Sequence, residues 1–201
     1  MLLFIDGCLS QRGEESRTRR LAESFLAAWR AAHPGEGVET VGAETLLSLR
    51  PFAPAALDER DALASVGAWE APAFALARQF RAADEIAVAA PFWALSFPAA
   101  VRTYIEHICA RGVTYHYTDR GCVGDCRAGR LTYLTSGGDV ERPESLGVLY
   151  WRQLAAMCGI GEYAYVFAGG LDLGDGQEEA RLADACALAA RLGAREDGHG
   201  R

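Results

Sequence analysis

The chain has 201 residues, 50% of them apolar, and a net charge of −7 at neutral pH. That is enough apolar matter for one sizeable core, and one domain is the expectation at this length. The acidic balance argues against nucleic acid or an anionic membrane as the main partner, and no apolar run reaches membrane-spanning length.

Leu2–Asp6 is a short apolar run before Gly7 and predicts a first strand. Ser16–Ala32 reads helical, because Leu21, Phe25, Leu26 and Trp29 fall on one stripe; His33-Pro34-Gly35 ends it. Val38–Val41 is a weak second strand, and Ala43–Leu49 a short helical turn before Pro51 and Pro54. Residues 55–69 read as surface helical pieces. Pro72–Ala83 is a helix. Glu85–Ala90 is a third strand whose lack of alternation implies burial on both faces. Pro98–Ala110 is helical, with Val101, Tyr104, Ile105 and Ile108 as its stripe. Residues 111–129 form a long, Gly-punctuated loop, and long loops in compact domains are often functional. Leu131–Thr135 is a fourth strand, Ser145–Cys158 a helix, Tyr163–Ala168 a fifth strand and Gln177–Leu192 the last helix.

Strands alternating with helices predict an α/β fold: a five-stranded parallel sheet with helices on both faces. Residues 1–194 read as a single domain and residues 195–201 as a polar, frayed tail. The N-terminus lacks a basic leader, so the expectation is a cytoplasmic protein.

Three strand-end loops carry the chemistry. The first contains Ser10, Arg12, Ser16, Arg17 and Thr18. It is neither a P-loop nor a G-x-G-x-x-G turn, but hydroxyls and free N–H groups at a helix start can hold a phosphate. All 20 basic residues are arginine, so Arg12 or Arg17 must supply any positive charge, and a Schiff-base lysine is excluded. The bland alternative is an ordinary Ser16 N-cap with solvated arginines. The second loop is Pro91-Phe92-Trp93-Ala94-Leu95, whose aromatics suit a flat ring ligand, a hydrophobic plug or a dimer contact. The third is Thr135-Ser136-Gly137-Gly138, where two glycines allow positive φ and close backbone approach to a ligand, or form a plain tight turn. In a parallel sheet all three lie at one edge, where ligands of open α/β sheets bind. Phosphate, ring stacking and ring-edge hydrogen bonds together suit FMN.

Six cysteines are read as free thiols. The spacing of Cys122 and Cys126 fits neither a C-x-x-C redox motif nor a zinc knuckle, and no metal site is expected. His116 or Tyr117 can deliver a proton to a substrate, although His116 also reads as an ordinary exposed loop residue.

At these residues the chain resembles the FMN-dependent NADH azoreductases, within the wider flavodoxin-like NAD(P)H:quinone oxidoreductases. The likeness rests on Gly112-Val-Thr-Tyr-His-Tyr-Thr118, Thr135-Ser-Gly-Gly138, Ser10 with Ser16-Arg17-Thr18, and the segments Trp151–Ile160 and Tyr163–Gly170. The resemblance implies a flavodoxin-like three-layer sandwich with strand order 2-1-3-4-5. It also implies FMN, NADH or NADPH as co-substrate, and an aromatic quinone or azo electron acceptor. A homodimer with the active site at the subunit interface and a ping-pong hydride transfer complete the picture. On this reading Ser10, Ser16, Arg17 and Thr18 hold the phosphate. Pro91, Phe92, Trp93, Ala94 and Leu95 line the ring edge, Thr135, Ser136, Gly137 and Gly138 contact its pyrimidine side, and Tyr117 lies near the substrate face.

Three departures stand out. Ala94 replaces a common Asn, Arg102 replaces a common Lys, and Cys122-Val-Gly-Asp-Cys126 replaces a Gly-Leu-rich turn. Ala94 and the cysteine pair motivate the alternative class, a flavin-binding electron carrier or redox sensor with little turnover.

Overall fold

A computed structural model describes residues 1–141 and 145–195. Five parallel strands form the central sheet: β1 (Leu2–Asp6), β2 (Val38–Val41), β3 (Glu85–Ala89), β6 (Arg130–Ser136) and β7 (Glu162–Ala168). Their spatial order is β2-β1-β3-β6-β7, the expected flavodoxin-like order once the hairpin β4–β5 is set aside. That hairpin joins Tyr115–Thr118 to Gly121–Gly124 in antiparallel register. Seven α-helices are described: α1 (Arg17–Ala32), α2 (Ala43–Ser48), α3 (Pro54–Ser65), α4 (Ala75–Ala82), α5 (Ala99–Ile108), α6 (Leu146–Met157) and α7 (Glu178–Gly193).

Alternation along the strands sorts the core into two halves. Leu3, Ile5, Ile86, Val88, Leu131 and Tyr133 face Leu46, Phe80, Tyr104, Ile105 and Trp151, which come from α2, α4, α5 and α6. Leu2, Phe4, Ala87, Ala89, Leu134 and Val166 face Leu21, Phe25 and Trp29 of α1 and Leu182 and Ala189 of α7. Every residue of β3 is buried, as the unalternating run predicts for a central parallel strand. β2 is an edge strand with two exposed residues, which is why its signal is weak.

The region after residue 54 holds the helix α3, a surface element as expected, with none of its residues buried. One segment differs from the expectation. The predicted loop 111–129 contains the β4–β5 hairpin. Its strands are four residues each, and β5 contributes two glycines, a residue type depleted in strands. The tail beyond residue 195 lies outside the described residues.

The N-terminal edge of the sheet holds a buried ion pair. Glu85 and Arg130, opposed in the β3–β6 register, are 1% and 4% exposed. Arg130 Nη2 donates to Glu85 Oε1 at 2.6 Å, and Trp29 Nε1 donates to Glu85 Oε2 at 2.8 Å. Three elements are thereby fixed by one carboxylate. Removing one partner of a buried pair strands the other charge, at a cost of about 3–5 kcal/mol. Glu85→Ala is expected to lower the unfolding free energy by about that amount, measured by urea denaturation.

Candidate functional site

The C-terminal ends of the strands are joined beyond the strands themselves. Gly7 N–H donates to Ala89 O at 2.7 Å, Ala90 N–H to Leu134 O at 3.0 Å, Phe92 N–H to Ser136 O at 3.0 Å and Gly137 N–H to Ala168 O at 2.9 Å. These bonds pull the loops after β1, β3, β6 and β7 into one surface. The Thr18 and Ser136 hydroxyls complete it, 2.6 Å apart and part-buried, tying the start of α1 to the end of β6.

In the first loop, Ser16 is the N-cap of α1, and its side chain accepts from Arg19 N–H at 3.4 Å. The N–H groups of Arg17 and Thr18 open the helix, where no intrahelical carbonyl can serve them. The Ser10 hydroxyl makes no hydrogen bond to a described residue. No acidic residue occupies the first helical turn. The helix start therefore presents donors and positive potential to an anion. Arg17 is partly committed, since its Nη1 donates to Asp172 Oδ1 at 2.7 Å; both side chains are exposed. Arg12 is exposed and forms no ion pair among the described residues. Cys8 sits behind this loop. Burial, reinforced by Asp6, pushes its thiol up to about 12, so it stays protonated and is no nucleophile at neutral pH.

The aromatic loop is a tight two-residue turn. Ser96 N–H donates to Trp93 O at 2.8 Å, and the two residues between them, Ala94 and Leu95, have φ of 47° and 66°. Paired left-handed residues are the mark of hairpin turns that favour Asn and Gly. Ala94 thus stands where a side chain suited to that conformation would relieve strain, and the turn holds it regardless. Trp93 and Leu95 point outward, 49% and 66% exposed, while Phe92 packs edge-on to Phe167 with centroids 5.2 Å apart.

The glycine loop works differently from the expectation. Neither Gly137 nor Gly138 has a positive φ. They are small because neighbours crowd them: a Cβ on Gly137 would come within 3.0 Å of the Phe167 ring, and one on Gly138 would collide with the Asp172 carboxylate. The Gly137 N–H is spent on Ala168 O, which leaves Gly138 N–H as the available donor of the pair among the described residues. The end of β7 supplies Phe167 and the loop after it Asp172, both of which sequence reasoning missed. The Gly169-Gly170 pair just beyond that strand is the signal that pointed there.

Ser10, Ser16, Arg17, Thr18, Pro91, Phe92, Trp93, Ala94, Leu95, Thr135, Ser136, Gly137 and Gly138 thus belong to one edge. Tyr117 and His116 do not join them within the chain. They lie on β4, and the hairpin packs at the opposite edge: Gly124 abuts Cys158 and Gly159, Cys126 N–H donates to Cys158 O at 3.1 Å, and Gly129 N–H donates to Asp84 O at 3.0 Å. There His116 Nδ1 lies 2.9 Å from Asp125 Oδ2. Cys122 is exposed on β5 and Cys126 lies beyond its end, beside Cys158.

This arrangement has known counterparts. A family model described as flavodoxin-like fold matches residues 2–192. The chain belongs to that family. It is 31% identical over 197 residues to FMN-dependent NADH:quinone oxidoreductase 5 of Pseudomonas fluorescens, covering 92% of this chain and 93% of that one. The FMN-dependent NADH:quinone oxidoreductase of Azotobacter vinelandii is 30% identical over 192 residues, covering 88% and 92%. Among solved structures, an azoreductase from Bacillus anthracis superposes with a TM-score of 0.81 at 25% identity, covering 96% of this chain and 98% of that one.

The strained turn gives a direct check. A left-handed L-residue costs about 1–2 kcal/mol, part of which glycine's greater chain entropy returns. Ala94→Gly is expected to raise the unfolding free energy by about 1 kcal/mol, seen as a higher urea midpoint with unchanged slope.

Proposed function

We propose that this chain is an FMN-dependent NADH oxidoreductase that reduces quinone or azo aromatic acceptors. The observation that carries the reading is the single surface formed by the hydroxyl-rich start of α1, the aromatic turn and the glycine loop, linked by main-chain bonds and by the Thr18–Ser136 contact. The names of the relatives agree with it.

The residues fit the cofactor. Ser10 and Ser16 hydroxyls and the first N–H groups of α1 would bind the phosphate, with Arg12 and Arg17 offsetting its charge. Thr18 is held by Ser136 and positions both loops. Phe92, Trp93, Ala94 and Leu95 would line the ring and exclude water from it. Gly138 N–H would donate to the carbonyl edge of the ring, where negative charge collects on reduction. Bound FMN supplies hydride transfer from NADH or NADPH to the acceptor in two successive half-reactions on one face, a ping-pong scheme.

The proposed assembly is a cytoplasmic homodimer with its active site at the interface. Trp93 and Leu95 at one edge and Tyr117 and Val123 at the other are exposed, the last two 60% and 42%. A second copy would bring its hairpin, with Tyr117 and His116, to the flavin edge of the first. No helix among the described residues is long and apolar enough to cross a membrane.

Purified protein is expected to show flavin bands and to oxidise NADH rapidly with menadione. Ser16→Ala removes a phosphate donor and is expected to weaken FMN binding about tenfold. Absence of flavin, together with failure of added FMN to bind or to support turnover, overturns the reading. Flavin binding with negligible turnover assigns the chain to the carrier class instead.

A further inference from the structure

Two thiols meet where the β4–β5 hairpin packs on the end of α6. Cys158 is the C-cap of α6, buried in the core, and Cys126 follows β5, half-buried and packed against the same apolar cluster.

The backbone brings the two together. Cys126 N–H donates to Cys158 O at 3.1 Å. Glycines on both sides permit the approach. A Cβ on Gly124 would fall 1.9 Å from Cys158 C, and one on Gly159, where φ is 79°, would fall 3.0 Å from Gly124 O. A main-chain bond of this kind holds two Cα atoms about 5–6 Å apart, within the span of a disulfide. The side chains turn toward each other as well, since the two thiols share a hydrogen bond. No three His, Cys, Asp or Glu side chains among the described residues gather into a metal site, so the chemistry available here is that of two thiols.

Their surroundings set their order of reaction. Half-buried Cys126 is within reach of a small oxidant, and its S–H donates to Thr114 O at 3.7 Å. Cys158 is 1% exposed and shielded from solutes. Its thiol is held well above the ordinary range, first by the hydrogen bond to Cys126 and then by burial, so it keeps its proton. The neighbouring Cys122 is exposed and points its thiol at Met157 O, 4.0 Å away.

We infer that Cys126 and Cys158 are a peroxide-reactive pair that closes to a reversible disulfide, Cys126 attacking the oxidant and Cys158 resolving the product. The Cys126 sulfur attacks one oxygen of hydrogen peroxide and the O–O bond breaks. Cys126 becomes a sulfenic acid, and the other oxygen leaves as water with the thiol proton. The Cys158 sulfur then attacks the Cys126 sulfur, the S–O bond breaks, and the departing hydroxide takes the Cys158 proton as a second water. The two thiols lose two electrons and the peroxide gains them. The new bond ties the base of the hairpin to the end of α6, and a thiol reductant reopens it. No step uses a flavin, so the inference stands apart from the oxidoreductase reading.

The test is peptide mapping by mass spectrometry. Reduced protein, with and without FMN, is treated with equimolar hydrogen peroxide, alkylated in denaturant and cut with trypsin. The expected product joins Gly121–Arg127 to Gln153–Arg181, two hydrogens lighter than the free peptides, with Cys122 alkylated, and dithiothreitol separates them. Cys122→Ser is expected to leave that link intact, and Cys126→Ser to abolish it. Cys158→Ala is expected to leave a sulfenic acid on Cys126 that dimedone traps. The oxidised wild-type protein is expected to show a higher urea midpoint than the reduced one, because the bond closes a long loop of the unfolded chain. A link from Cys122 to either thiol, a link from Cys109 to Cys158, a cross-link between chains, or over-oxidised Cys126 beside free Cys158 overturns the inference. A lower midpoint on oxidation also overturns it, since the native backbone would then not accommodate the bond.

Discussion

Four main-chain hydrogen bonds run across the ends of the strands, from β1 to β3, β3 to β6, β3's loop to Ser136, and β6 to β7. Everything at the candidate site depends on them. Parallel pairing alone points the loops to the same edge, but it leaves loops free to splay. By continuing the ladder through Gly7, Ala90, Phe92 and Gly137, the backbone holds the start of each loop at strand spacing. The cost of ordering the loops is thereby met by the fold, so a ligand meets a formed surface.

That constraint also explains which residues are small. Gly137 and Gly138 are crowded by Phe167 and Asp172, residues brought in by β7, rather than freed to adopt unusual backbone angles. Strain is stored elsewhere, in the left-handed Ala94 and Leu95. Such outliers persist where the surroundings over-determine them, and they gather at functional sites. The chain's charge is arranged in the same spirit. A protein of net charge −7 keeps Arg12, Arg17 and Arg19 at the α1 start.

The central strands and the start of α1 were legible because their signals are local. Glu85–Ala89 is unalternating since both faces are covered, and Ser16 caps a helix with a clear apolar stripe. The hairpin β4–β5 was not legible, because four-residue strands with two glycines carry almost no pattern. Phe167 and Asp172 were missed because their roles come from pairing between β6 and β7 and not from their own neighbourhood. Tyr117 and His116 were visible as unusual residues, but their distance from the edge formed by the other candidate residues is a matter of topology: α5 carries the chain back across the sheet before they occur. Positive φ at Ala94, where sequence favoured it at Gly137, shows the limit of reading backbone angles from residue type.

The central claim is that one edge holds a phosphate at the start of α1 and a flat ring at the aromatic turn. Fluorescence titration of the flavin-free protein with FMN and with riboflavin tests it most directly, because the two differ only in the phosphate. Charge-assisted phosphate contacts should make FMN bind on the order of a hundredfold more tightly, and that advantage should fall in raised salt. Equal affinity for the two flavins would contradict the account, since the hydroxyls and N–H groups of Ser10–Thr18 would then not be a phosphate site.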